Sequence, residues 1–246
     1  MKTRKVAIRG IEIEVVDSGP GHYTWDKMRD VPEGWEPYTY RAIERWTALG
    51  DWMIDVGAYV GAVTIYAAYI ARNVIALEPD PVAYEVLRQN VTLARLNAKG
   101  TMLALPVALA PDTGPIELGT AVEWGTSTSS IVCANASKSE SVNGVSLQNL
   151  LMGISTPRIT FLKMDIEGGE AIVLPAIKNW IIKERPVLAL SLHPPRLPDP
   201  AHDIEVIKNV LSVFPYLHSY SKKAMLLSDV GLTGPKHITG TWEPWE

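Results

Sequence analysis

The residues best suited to chemistry stand in a few short runs. The first is Asp55-Val56-Gly57-Ala58-Tyr59-Val60-Gly61. Gly57 permits a tight turn and a close approach of backbone to ligand. Gly61 lets a following helix pack near the strand. A dinucleotide pyrophosphate needs G-x-G-x-x-G, but here Ala58-Tyr59 follows Gly57. Asp55 beside the turn would repel a pyrophosphate and suits a ligand carrying an ammonium group. The second run is Glu78-Pro79-Asp80. Glu78 lies 21 positions beyond Gly57, where a doubly wound fold grips ribose hydroxyls. One carboxylate can accept from two vicinal hydroxyls. Glu78 would also serve as a helix-start charge, but the glycine turn at this distance favours ribose. Pro79 cannot continue a strand ladder and fixes the turn.

The third run, Asp165-Ile166-Glu167-Gly168-Gly169-Glu170, holds three carboxylates and two glycines in six residues. Crowded carboxylates raise one another's pKa, so a cation, a base role or hydrogen bonds must use them. The plain alternative is a solvated acidic loop with Glu170 at a helix start. Ser191-Leu192-His193-Pro194-Pro195 places a histidine between a strand and two prolines. A neutral imidazole there can take a proton from a hydroxyl near neutral pH. Ala108, at the end of a third strand, has no chemistry of its own but offers backbone groups to an adenine edge.

Elements that alternate must hold these runs. Strands are expected over residues 52–56, 74–77, 102–108, 160–164 and 187–192. Helices are expected over 61–71, 81–97, 146–151, 170–180 and 204–214. Pro81 stands where a helix prefers to begin. The β-α-β order with apolar strands argues for a doubly wound α/β fold with a parallel sheet covered on both faces. Residues 6–16 alternate with period two and read as a strand pair. Residues 17–37 read as an ordered loop or lid, and 38–49 as a helix. Residues 111–143 hold ten of the thirty Ser and Thr residues and read as a hairpin plus a mobile loop. Residues 216–227 and 237–241 read as an antiparallel pair closing the sheet edge. The organisation expected is one domain over 1–246. Within it, 1–50 is an N-terminal extension and lid, and 51–246 is a core with an insert near 111–143.

The 246 residues can bury a substantial core. A net charge of −4 with no block of five like charges disfavours a nucleic-acid arm or a polybasic membrane patch. One cysteine, Cys133, excludes an internal disulfide and a multi-cysteine zinc site. Residues 1–16 have no apolar core of a secretory signal. The apolar stretch 52–77 carries Asp55, Arg72 and Asn73 and does not read as a membrane span. The cytoplasm is the default compartment.

Together, the Asp55–Gly61 run, Glu78-Pro79 and Lys163-Met164-Asp165-Ile166-Glu167-Gly168-Gly169-Glu170 resemble the FkbM family of methyltransferases, from about Asp51 to His193. The last motif is the most specific. The resemblance implies the class I methyltransferase (Rossmann-like) fold, with a seven-stranded, mostly parallel sheet and an antiparallel C-terminal edge. It also implies S-adenosylmethionine as cofactor and O-methylation of a sugar, polysaccharide or natural product. Asp55, Gly57, Ala58, Tyr59 and Gly61 would surround the methionine part. Glu78 with Pro79 would hold the ribose, and Ala108 would meet the adenine. Asp165 would sit near the sulfonium or the acceptor, with Glu167 and His193 beside it as catalytic candidates. The family often has Asn where Tyr59 stands. Trp35-Glu36-Pro37-Tyr38-Thr39 could fold over the cofactor, with Glu36 and Thr39 as polar contacts.

The expected step is in-line transfer to a hydroxyl, with His193 or Asp165 as base. A magnesium-assisted variant would use Asp165, Glu167 and His193. The partner is a small-molecule or glycan acceptor, with no nucleic acid, and a homo-oligomer is compatible with the composition. Of the eight tryptophans, Trp25, Trp35, Trp242 and Trp245 could line a sugar site or simply pack. Two rivals are an NAD-dependent oxidoreductase, against which the missing G-x-G-x-x-G counts, and a non-catalytic protein on the same fold. A nucleic-acid base methyltransferase would need an Asn-Pro-Pro-Tyr-like run, which is absent.

Overall fold

The computed structural model describes residues 2–30, 36–133, 135–154, 158–219 and 223–245. The chain opens with an antiparallel hairpin, β1 (Thr3–Ile8) and β2 (Ile11–Val16). Arg9 and Gly10 both take positive φ at its turn, which matches the twist of a two-residue hairpin. Ile13 and Val15 are buried while Glu12 and Glu14 are exposed. This is the alternation that the sequence shows. Helix α1 (His22–Asp30) occupies part of the segment expected to be loop. Trp25 and Met28, three residues apart, are both buried and anchor it. Helix α2 (Pro37–Trp46) follows, with proline at its first position.

The alternation then runs β3 (Trp52–Val56), α3 (Ala62–Tyr69), β4 (Asn73–Leu77), α4 (Pro81–Ala94) and β5 (Met102–Leu105). The strand expected over 102–108 is two strands. Pro106 has no N–H for a ladder, and the chain leaves the sheet there. Strand β6 (Val107–Leu109) instead pairs with β8 (Lys138–Val145), and β8 pairs with β7 (Gly114–Thr120). This small sheet carries the insert, whose loop lies between β7 and β8. The chain continues as α5 (Leu147–Ile154), β9 (Ile159–Met164), α6 (Glu170–Glu184), β10 (Val187–Ser191) and α7 (Pro200–Leu211). It ends with β11 (Tyr216–Ser219), β12 (Ala224–Met225) and β13 (His237–Thr241).

The main sheet has the order β12-β11-β13-β10-β9-β3-β4-β5. It has eight strands rather than the seven expected, because the two-residue β12 adds to the edge of β11. Strands β10, β9, β3, β4 and β5 run parallel. Strand β13 lies antiparallel between β10 and β11, which gives the antiparallel C-terminal edge.

Successive residues of a strand face opposite sides, and two separate apolar clusters result. Met53, Val74 and Phe161 pack with Tyr40 and Ile43 of α2, Ile65 of α3 and Leu87 of α4. Ile54, Ile75 and Leu162 pack with Leu150 of α5, Leu174 of α6 and Ile207 of α7. Strand order reverses between β3 and β9, so their carboxyl ends open a crevice. Among the described residues, no helix is long and apolar enough to cross a membrane.

Candidate active site

A cavity of about 700 Å³ lies at the carboxyl ends of β3, β4 and β9. Three turns form its floor. After β3, the N–H groups of Gly57 and Ala58 both donate to the Leu77 carbonyl at 3.0 Å. Gly57 has φ 75°, and a Cβ there would stand 1.9 Å from the Asp165 carbonyl oxygen. Its lack of a side chain therefore lets the turns after β3 and β9 touch. After β4, Glu78 points back toward the first turn. Its Oε2 accepts from Tyr59 N–H at 2.7 Å and its Oε1 from Asp80 N–H at 2.9 Å. Each oxygen keeps a further lone pair, and Glu78 lines the cavity. Burial pushes its pKa up to about 7, against the two backbone hydrogen bonds.

The turn after β9 concentrates charge. Lys163, within β9, is buried with its Nζ 3.1 Å from Asp55 Oδ1 and donating to the Gly57 carbonyl at 2.7 Å. Burial alone would lower the pKa of Lys163. Asp55, then Asp165 and Glu36, hold it above the usual lysine range. Asp55 Oδ2 accepts from Thr64 Oγ at 2.7 Å. Glu167 has φ 55° and Gly168 φ 102°, and this tight reversal brings Glu167 back over Asp165. Burial and then Asp165 push Glu167 up to about 7. Glu170 does not face the cavity. It accepts from Ile166 and Gly168 N–H groups at 2.9 Å each and so holds the reversal.

His193 follows β10 and faces this turn. Its Nε2 is 3.6 Å from both Asp165 Oδ1 and Glu167 Oε1. Its Nδ1 is buried without a hydrogen-bond partner among the described residues. Burial, opposed by Asp165, lowers its pKa below the usual histidine range, so the ring is neutral at pH 7. One ligand atom each from Asp165, Glu167 and His193 lies within 4.8 Å of the others. Arg196 Nε pairs with Glu167 Oε2 at 2.8 Å.

The remaining walls come from distant segments. Glu36 accepts from Thr39 Oγ at 3.2 Å. Burial pushes Glu36 up to about 7, with Lys163 opposing and Asp165 adding to the rise. Tyr38 stacks on His237 with centroids 3.8 Å apart. His237 Nδ1 is 3.1 Å from Ser191 Oγ. Tyr40 lines the cavity, and its buried hydroxyl has no hydrogen-bond partner among the described residues. Thr126, Ser127, Ser129 and Ser130 of the insert complete the rim.

The sequence matches the methyltransferase FkbM domain over residues 55–216, more than half of the chain. The chain belongs to the FkbM methyltransferase family. No curated protein matches it. Among solved structures it is similar to methyltransferase FkbM from Methylobacillus flagellatus, with 18% identity and a TM-score of 0.48. That match covers 78% of this chain and 43% of the other, so this chain spans less than half of that protein's length. It is also similar to an O-methyltransferase from Bacillus cereus in complex with SAH, with 16% identity and a TM-score of 0.44, covering 82% and 76% of the two chains. A Pyrococcus abyssi tRNA (uracil-54, C5)-methyltransferase in complex with S-adenosyl-L-homocysteine has 12% identity and a TM-score of 0.45, covering 97% and 43%.

The FkbM motif residues Gly57, Ala58, Tyr59, Glu78, Pro79, Asp165 and Glu167 line one cavity, as do Ala108, His193 and Glu36. Three expected residues do not. Asp55 lies fully buried behind the floor, where it holds Lys163 and Thr64 rather than opening to a ligand. Gly61 begins α3, where a Cβ would meet Leu87 Cδ1 at 2.7 Å. Thr39 sits behind Glu36 and bonds to it. Of the tryptophans, Trp25, Trp242 and Trp245 pack away from the cavity, and Trp35 lies outside the described residues. Lys163, Tyr38 and His237 line the cavity and are additions. For Lys163 a signal was present, since a lysine between Leu162 and Met164 in a buried strand demands a partner. Tyr38 belongs to the Trp35–Thr39 run expected to fold over the cofactor, whereas His237 stands outside the FkbM match and carries no such signal.

Four glutamates in or beside the site have pKa values raised to about 7 by burial: Glu36, Glu78, Glu167 and Glu170. The folded protein keeps protons there that the unfolded chain releases, so this contribution falls as pH rises toward 7. His193, His218 and His237 are shifted down by burial, and their contribution rises with pH up to the unperturbed value of 6.5. Above 6.5 the rise from the histidines fades while the four carboxyls still titrate, each giving up to about 1.4 kcal/mol per pH unit. The melting temperature of the ligand-free protein is therefore expected to fall from pH 6.5 to about pH 8. A flat or rising profile across that window would contradict these protonation states.

Proposed function

We propose that this chain binds S-adenosylmethionine at the carboxyl ends of β3, β4 and β9. It transfers the methyl group to a hydroxyl of a sugar, polysaccharide or small natural product. Glu78 carries the reading. Its two carboxylate oxygens are each fixed by one backbone N–H and face a cavity beside a glycine turn. This is a preorganised acceptor pair for two ribose hydroxyls. Gly57 to Tyr59 border the methionine part, and Ala108 the adenine. The orphaned hydroxyl of Tyr40, which lines the cavity, fits a polar ligand that would satisfy it.

The cofactor, when bound, supplies an electrophilic methyl group on a positively charged sulfur. The chain supplies position and a base. Asp165, Glu167 and Glu36 present carboxylates to that end of the cavity. His193, kept neutral by burial, receives the hydroxyl proton on Nε2. Asp165 and Glu167, each 3.6 Å away, then stabilise the imidazolium. The clustering of Asp165, Glu167 and His193 also favours a second reading in which the three hold a divalent cation against substrate oxygens. Turnover that survives EDTA supports the base reading, whereas loss restored by magnesium supports the cation.

The first test is calorimetric titration with S-adenosylhomocysteine. Micromolar binding is expected, and Glu78→Ala should weaken it by about 1.5–3 kcal/mol, the scale of hydrogen bonds to a charged group. A well-folded wild-type protein that shows no heat of binding would remove the proposal.

A further inference from the structure

Tyr59 stands in a conformation that its side chain does not favour. Its φ is 52°, the left-handed region where Asn is at home and an aromatic residue is uncommon. A strained residue persists when its surroundings over-determine it, and the contacts of Tyr59 do so. Its N–H is held by Glu78 Oε2. Its hydroxyl accepts from Gly21 N–H at 2.9 Å and donates to the Gly125 carbonyl at 3.1 Å. The FkbM-type Asn would suit the backbone but could not reach either group.

Gly21 and Gly125 belong to segments far apart in sequence that meet at the Tyr59 hydroxyl, beside the cavity that Tyr59 and part of the insert line. A Cβ on Gly125 would stand 2.5 Å from Pro20 Cγ, so the loop before α1 and the insert loop are in contact. Asp80 secures the insert from the other side. Its Oδ2 accepts from Gly125 N–H and Ser129 Oγ, both at 2.8 Å, while its Oδ1 caps α4. The Gly125 residue is thus bracketed. Its N–H is tied to the run after β4, and its carbonyl is tied to the run after β3. The link between the insert and the N-terminal loop that passes through the cavity wall is the Tyr59 hydroxyl.

We propose that the Tyr59 hydroxyl latches the insert loop, whose Thr126, Ser127, Ser129 and Ser130 line the cofactor cavity, to the N-terminal loop beside it. It joins Gly21 to Gly125 and so controls how fast the cofactor enters and leaves. The cofactor half of this proposal rests on the S-adenosylmethionine reading above, and the latch itself does not. The latch acts through segments 17–21 and 121–130, the second of which reaches the cavity. A released insert loop leaves the Glu78 contacts to the ribose in place, so the latch acts on rates more than on the contacts themselves.

The test uses the full chain as wild type, Tyr59→Phe and Tyr59→Asn. Phe removes only the hydroxyl. Asn relieves the backbone strain and guards against a mere folding defect. Amide hydrogen exchange of ligand-free protein is expected to show both 17–22 and 121–130 losing protection together in each variant, with α4 and β4 unchanged. Stopped-flow release of S-adenosylhomocysteine should accelerate about tenfold in Tyr59→Phe, the scale of one or two hydrogen bonds. Unchanged exchange at both segments, or loss at one alone, would overturn the latch, as would unchanged release from a variant that binds. A wild-type protein that binds no S-adenosylhomocysteine would sink the cofactor reading instead. The exchange comparison would still decide the latch.

Discussion

Replacing His193 with Asn is expected to lower kcat by about 10²- to 10⁴-fold, the usual contribution of a positioned general base. The affinity for S-adenosylhomocysteine should change little, because no contact proposed for the ribose or adenine involves His193. The split follows from the geometry. The imidazole stands 3.6 Å from two carboxylates that stabilise it only once it is charged. An interaction gained during reaction appears in kcat rather than in ground-state binding. The wild-type rate should rise with pH through the lowered histidine pKa and then level off, and the variant should lose that limb. Methyl transfer to an acceptor identified by screening provides the measurement. A kcat within threefold of wild type would remove His193 from the proton path.

Lys163→Met is expected to destabilise the fold by about 3–5 kcal/mol, the cost of removing one partner of a buried pair. Asp55 is fully buried and Lys163 nearly so. Without the ammonium group, the Asp55 carboxylate keeps only the Thr64 hydroxyl among the described residues, and the Gly57 carbonyl loses its donor. The lysine also crosses from β9 to β3, so its loss loosens the turn at the cavity floor. Adding Asp55→Asn to Lys163→Met should recover part of the loss, because the stranded charge is then gone. Urea unfolding with an unchanged m-value measures both steps. A loss below about 1 kcal/mol for the single variant would mean that the pair is solvated.

Burial explains which elements were legible beforehand. Strands β3, β4, β9 and β10 are apolar runs bounded by turn residues, and buried parallel strands require that pattern. The glycine and acidic residues after them stood out because such residues do not belong inside a sheet. Parallel strands place all their carboxyl ends on one side. The pattern therefore implied that Gly57, Glu78, Asp165 and His193 would face a common crevice. The break at Pro106 was written in the sequence as a residue without a donor, but the new partner of Val107–Leu109 was not. That partner, β8, lies some thirty-five residues on, and strand pairing over that distance is a tertiary choice.

By itself, then, the sequence determined the alternating fold, the strand ends that carry chemistry and the family to which they belong. Tertiary structure alone decided which of those residues line the cavity. Asp55 and Asp165 both follow or end a central strand, yet Asp55 turns inward to neutralise Lys163 while Asp165 lines the cavity. His237 reaches the site because β13 enters the sheet antiparallel to β10, which sets the start of β13 beside Ser191 at the end of β10. Tyr59 acquires its bridging role only when Gly21 and Gly125 arrive from either side. Charge pairing, antiparallel insertion and the hydroxyl bridge all join residues far apart in the chain, and local patterns encode only neighbours.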